Sequence, residues 1–133
     1  MGIRALTTGR GMAVAMLLVS AASVRAFAHH SFAMFDMQQS LTIEGTVKDY
    51  QWTNPHVWID LLVADPATHQ PVLWSVEANS IAVQSRMGWT RHSLHAGDMT
   101  TLVIHPLRKG TNGGSLMSGS VNGKPIGNEP ERK

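Results

Sequence analysis

Leu41, Ile43, Gly45 and Val47 alternate with Thr42, Glu44, Thr46 and Lys48, the period-2 signature of a strand with one face in a core and the other in water. Tyr50 and Trp52 fall on the opposite parity, so the strand must shift phase. A bulge or bend of that kind, with Gly45 nearby, curls a sheet into a small barrel. Thr53-Asn54-Pro55 then interrupts the pattern with turn chemistry, since Pro fixes φ and Asn can bond its own backbone. A second alternation runs from His56 to Ala64, with Val57, Ile59, Leu61 and Val63 on one face and His56, Trp58 and Asp60 on the other. After a turn over Asp65 to Pro71, Val72, Trp74, Val76 and Ala78 alternate with Leu73, Ser75 and Glu77 as a third strand.

The period changes after Ala78. Asn79 or Ser80 can cap a two-turn helix over residues 80–87, whose Ile81, Val83 and Met87 precede Gly88, a natural terminator. Trp89 is expected to close against the core, and Arg91 to Asp98 to be a polar connection. Met99 to His105, ended by Pro106, reads as a fourth strand, and Ser115 to Val121 as a weaker fifth beyond the Gly-rich loop Leu107 to Gly114. Met87 and Met117 are expected in the core, where methionine fills irregular gaps, whereas Met34 and Met37 remain open to a role as soft metal ligands. The order β-β-β-α-β-β predicts an all-β fold with one short helix. The layout is that of a five-stranded OB-like barrel over residues 41–121, behind an N-terminal arm over 29–40. An immunoglobulin-like sandwich wants about seven strands and no helix at that place. The tail from 122 to 133, with Ile126 its only large apolar residue, is expected to be disordered.

Residues 1–28 read as an export signal. Arg4 and Arg10 form a positive start, Met12 to Val19 an apolar run, and Ala26-Phe27-Ala28 a small-x-small cleavage site. Met12 to Val24 is too short for a membrane span, which needs about 20 residues. The count of 11 Lys+Arg against 9 Asp+Glu would suggest an acidic partner, but cleavage removes Arg4, Arg10 and Arg25. A chain with one more acidic than basic residue remains, expected in the periplasm or secreted, with no transmembrane segment after processing and no nucleic-acid partner. With no cysteine among 133 residues, a disulfide scaffold is excluded and stability rests on packing.

All seven histidines lie beyond Ala28. Cleavage there makes His29 the first residue and pairs a free α-amine with an imidazole, a bidentate nitrogen chelate of the kind that favours Cu(II). Cleavage after Ala26 places His29 third, which also suits Cu(II) or Ni(II). His30, or a histidine of the fold, can complete a three-nitrogen set. His56 and His105 stand at strand ends, where sites are commonly built. The candidate metal ligands are therefore His29, His30, His56 and His105, with copper the expected ion, while His69, His92 and His95 read as surface residues. No Gly-x-Ser-x-Gly element, Walker loop or cysteine supports nucleophilic or phosphate chemistry, so an enzyme is not expected. Copper-dependent oxidation is the one catalytic reading left open. Glu44, Asp60 and Glu77 read as solubility residues or as supports behind a ligand.

Several motifs occur in order: Ala28-His29-His30-Ser31-Phe32, Gly45-Thr46-Val47, Trp52-Thr53-Asn54-Pro55-His56, Trp74-Ser75-Val76-Glu77, Gly88-Trp89, Gly97-Asp98, His105-Pro106 and Gly113-Gly114. In them the chain resembles a family of small exported bacterial proteins catalogued as a domain of unknown function. The resemblance implies an exported β-barrel and supplies no activity. Two functions are consistent with these residues. One is a periplasmic protein that binds a copper-type ion. The other is a metal-free OB module that docks an envelope protein, peptide or glycan near Trp58 and Trp52.

Overall fold

The computed structural model of the 133-residue chain describes residues 32–127. Residues 1–31, which include the segment expected to be an export signal and His29 and His30, and residues 128–133 lie outside the described residues. The chain divides into two units at Ala33/Met34, and the barrel belongs to the second.

Its elements are β1 (Leu41–Gln51), β2 (Trp58–Ala64), β3 (Pro71–Glu77), α1 (Ile81–Arg86), β4 (Met99–Pro106), β5 (Gly113–Val121) and β6 (Lys124–Pro125). The strand order is β3-β2-β1-β4-β5-β6, and a parallel pairing of β3 with β5 closes five of the six strands into a barrel. This is the expected all-β, OB-like order. β1 achieves the closure by serving two partners: Leu41 to Thr46 pair with β4, and Thr46 to Gln51 pair with β2. The expected phase shift is a bulge between Val47 and Asp49, which lets Val47 and Tyr50 both turn inward. Gly45 is required at the crossover because a Cβ there would lie 2.5 Å from the Leu62 carbonyl oxygen.

The alternating apolar positions form the interior. Val57, Ile59, Leu61, Val76, Leu102 and Ile104 are fully buried, each worth about 1.5–3 kcal/mol over an exposed side chain. Trp89 closes the core as expected. Leu94, in the segment read as polar, is also buried in it. Met87 and Met117, expected inside, are exposed. Met87 ends the helix at the surface, and Met117 follows the inward-facing Leu116, so the strand pleat turns it outward.

The helix is only six residues long, too short to persist alone, and is held by its start. Ser80 Oγ accepts from the Val83 N–H, and Asn54 Oδ1 from the Ile81 N–H. The chain beyond Val121 is ordered at least through Ile126, where the sequence suggested a tail. Asn122 adopts a positive φ of 49°, the turn brings Lys124–Pro125 back onto β5, and the Ile126 N–H bonds the Gly119 carbonyl. Among the described residues no helix is long and apolar enough to cross a membrane.

Candidate functional site

The loop that carries His56 is fixed from both sides. Asn54-Pro55 is a cis peptide, the Val57 N–H bonds the Asn79 carbonyl, and the Ala78 N–H bonds the Val57 carbonyl. Together with Asn54 on the helix start, these bonds press the loop against the end of β3. The His56 ring is thereby placed with Nδ1 2.9 Å from Glu77 Oε1 and 3.1 Å from the Ala78 carbonyl oxygen. Both partners are acceptors, so Nδ1 carries the proton and donates. In the neutral ring the lone pair then resides on Nε2, which has no partner among the described residues. A carboxylate behind Nδ1 is the arrangement that orients a histidine for a ligand at its other nitrogen.

His105 is anchored in the same sense. Its Nδ1 lies 2.7 Å from the Gln39 carbonyl oxygen, again forcing the donor role onto Nδ1. The arm runs alongside: the Asp36 N–H bonds the Pro106 carbonyl, the Arg108 N–H bonds the Met34 carbonyl, and Phe35 bridges to Leu107. The arm is thus held at the end of β4 both by backbone pairing and by the Phe35 side chain, which is 4% exposed.

The two histidines share one strip of the barrel exterior. Trp58 pairs with Glu77, Glu77 with Ser115, and Ser115 with His105. Ladder partners point to the same face, and the neighbours Ile59, Val76 and Ile104 point inward, so this row points outward. Strands stand ~4.8 Å apart, which puts the Glu77 and His105 backbones ~10 Å from each other. One pleat along, Asp49 pairs with Asp60, whose carboxylate accepts from Ser75 Oγ at 2.6 Å. Three carboxylates, Asp49, Asp60 and Glu77, therefore share this outer face. Among the described residues no three His, Asp or Glu side chains converge on a point that could hold a metal ion. The fold aligns His56 and His105 without joining them, while His29 and His30 lie outside the described residues.

The remaining histidines are on connections. His69 has a positive φ of 58° in the β2–β3 turn, and the His92 and His95 rings stack at 6.3 Å on the loop before β4. In the β2–β3 turn the Asp65 carboxylate accepts from Thr68 and Ala67 N–H groups, which holds its pKa below the ordinary carboxylate value. Burial pushes the Tyr50 phenol well above its ordinary value.

Of the two roles the sequence leaves open for Glu77, solubility or support behind a ligand, its contact with His56 Nδ1 fits the second. Counting outward from the Asp65–Gln70 turn sets Trp58 against Glu77 and brings His56 to the next step, so the contact follows from hairpin register once the turn is located.

A family profile matches residues 15–117 and describes a family of unknown function, DUF6152. The chain belongs to this family. The DUF6152 match runs from the N-terminal segment through β1 to most of β5, so it includes all four candidate histidines. No curated protein matches the chain. The crystal structure of the mitochondrial single-stranded DNA-binding protein Rim1 from S. cerevisiae aligns at a TM-score of 0.49 and 4% identity, over 65% of this chain and 95% of that one.

Proposed function

We propose that this DUF6152 protein is exported and binds a copper-type metal ion at its histidines, with no catalytic step of its own. The observation that supports the reading is the matched anchoring of His56 and His105, whose Nδ1 atoms are occupied by acceptors and whose Nε2 lone pairs are left for an incoming cation. Asp49, Asp60 and Glu77 on the same face add favourable charge. The fold does not bring the two imidazoles to one point, so His56 or His105 supplies one donor, and His29 and His30, with the mature α-amine, are the further nitrogen donors of the proposal. Amine and imidazole nitrogens in a tetragonal set select Cu(II) over the other divalent first-row ions.

The test is Cu(II) titration of the exported, correctly processed protein, followed by EPR. The reading expects nitrogen hyperfine structure at micromolar or tighter affinity, weakened by His29→Ala and by His56→Ala. Parent-like binding in both variants would overturn it.

A second reading is favoured by the exposure of Trp58 at 36%, an indole presented beside Gln51 and Glu77 on the outer face. Here the barrel docks an envelope protein, peptide or glycan without metal. Capture of a partner that survives chelator and is abolished by Trp58→Ala would select this reading over the first.

A further inference from the structure

A cleft of about 450 Å³ is lined by Trp52, Trp89, Ser85, Thr90, Arg91 and His92. It is a shallow cleft, open to solvent along most of its length, with room for one small ring laid against its wall. The indole walls are fixed: Trp89 is almost wholly buried in the core, and Trp52 is braced by Tyr50, whose ring centroid lies 6.0 Å away. The Tyr50 hydroxyl in turn donates to the Thr90 carbonyl at 3.0 Å, tying β1 to the loop that supplies the cations.

Charge selects the ligand. The lining contains Arg91 and His92 and no acidic residue. Arg91 makes no hydrogen bond or ion pair among the described residues, so its planar fork is available for bidentate pairing with a carboxylate. The nearest carboxylate on this loop, Asp98, is occupied by the His95 N–H at 2.8 Å. A helix C-terminus repels anions, but α1 is only six residues long and three of its last four carbonyls are already taken. The Met87, Gly88 and Trp89 N–H groups bond Val83, Ser85 and Gln84.

We propose that this cleft binds a small aromatic carboxylate, its ring against Trp52 and its carboxylate on Arg91, with His92 and the Ser85 and Thr90 hydroxyls at the rim. The proposal is independent of metal binding, and its test is run in EDTA so that the two fail separately. Full-length processed protein is titrated with benzoate, with the neutral isostere benzamide and with acetate, and tryptophan indole N–H resonances are followed by NMR. Benzoate is expected to give saturable shifts at Trp52, with benzamide and acetate each at least about tenfold weaker. Arg91→Gln should lose about tenfold in benzoate affinity, and Arg91→Lys should fall between Gln and parent. Arg91 is exposed, so neither variant threatens folding. Equal response to benzoate and benzamide would overturn the proposal. So would an unchanged Arg91→Gln, or shifts that do not saturate.

Discussion

Glu77 and His105, 28 residues apart in the chain, are both ladder neighbours of Ser115, one through the parallel β3–β5 closure and the other through β4–β5. The strip that carries the candidate histidines is therefore a product of barrel closure. Gly114 sets how closely the strands approach there, since a Cβ would press on the His105 carbonyl oxygen and come within 2.8 Å of Ile104 Cδ1. Gly114→Ala should cost about 1–3 kcal/mol of unfolding free energy and displace His105. Ser115→Ala, which trims only an outward hydroxyl, should stay within about 0.5 kcal/mol of the parent. Urea unfolding of both variants checks the pair, and equal stabilities would contradict the tight approach.

Glu77 orients His56 through a hydrogen bond that Gln can also accept, but only the carboxylate raises the basicity of Nε2. Glu77→Gln should leave the fold intact, because the Ala78 carbonyl still holds Nδ1. It should weaken Cu(II) binding by about 10–100-fold. Isothermal titration against the parent measures this, and a parent-like constant would remove Glu77 from the site.

Gln84 is 1% exposed, and neither amide atom has a hydrogen-bond partner among the described residues. Two unpaired polar atoms in an apolar interior are costly, and Leu has nearly the same volume. Gln84→Leu should therefore stabilise the domain by about 1–3 kcal/mol. The urea midpoint should rise at constant slope. A fall would mean that the amide finds a partner in solution.

The fold was legible because its strands are amphipathic. Val57, Ile59 and Leu61 keep strict parity, and the change of phase between Val47 and Tyr50 announced the bulge that the barrel needs. Short-range chemistry was legible too, with Ser80 and Gly88 bounding the helix as their capping preferences suggest. What was not legible depends on closure or on isolated residues. Leu94 is a single apolar residue in a polar segment and has no period to reveal it. The Glu77–Ser115–His105 row exists only because β3 meets β5 in parallel, a contact with no local signature. The sequence could place His56 and His105 at strand ends, but not on one face.

At acid pH the Asp65 turn should loosen. Its carboxylate accepts from Thr68 and Ala67 N–H groups and from the Thr68 hydroxyl, and these bonds lower its folded pKa. A lowered carboxylate pKa contributes stability that is present above the unfolded value, near 4. That stability is lost as pH falls through the folded value. Asp65→Asn should remove this part of the acid dependence, seen as a shallower loss of the urea midpoint between the two pKa values than the parent shows.

Tyr50 sets the opposite limit. Burial favours its neutral phenol and pushes the folded pKa up, and its hydroxyl donates to the Thr90 carbonyl at 3.0 Å. The ionised form would lose that bond. In the unfolded chain the phenol ionises near pH 10, so above that pH the unfolded state releases a proton that the folded state retains. Stability from this group is thus complete below pH ~10 and declines as pH rises toward the folded pKa. Tyr50→Phe should cost about 1 kcal/mol at neutral pH for the missing hydrogen bond. It should also remove this contribution to alkaline unfolding, so that the variant and parent midpoints converge between pH 10 and 11. Parallel curves across that interval would show that the phenol reaches water in the folded protein.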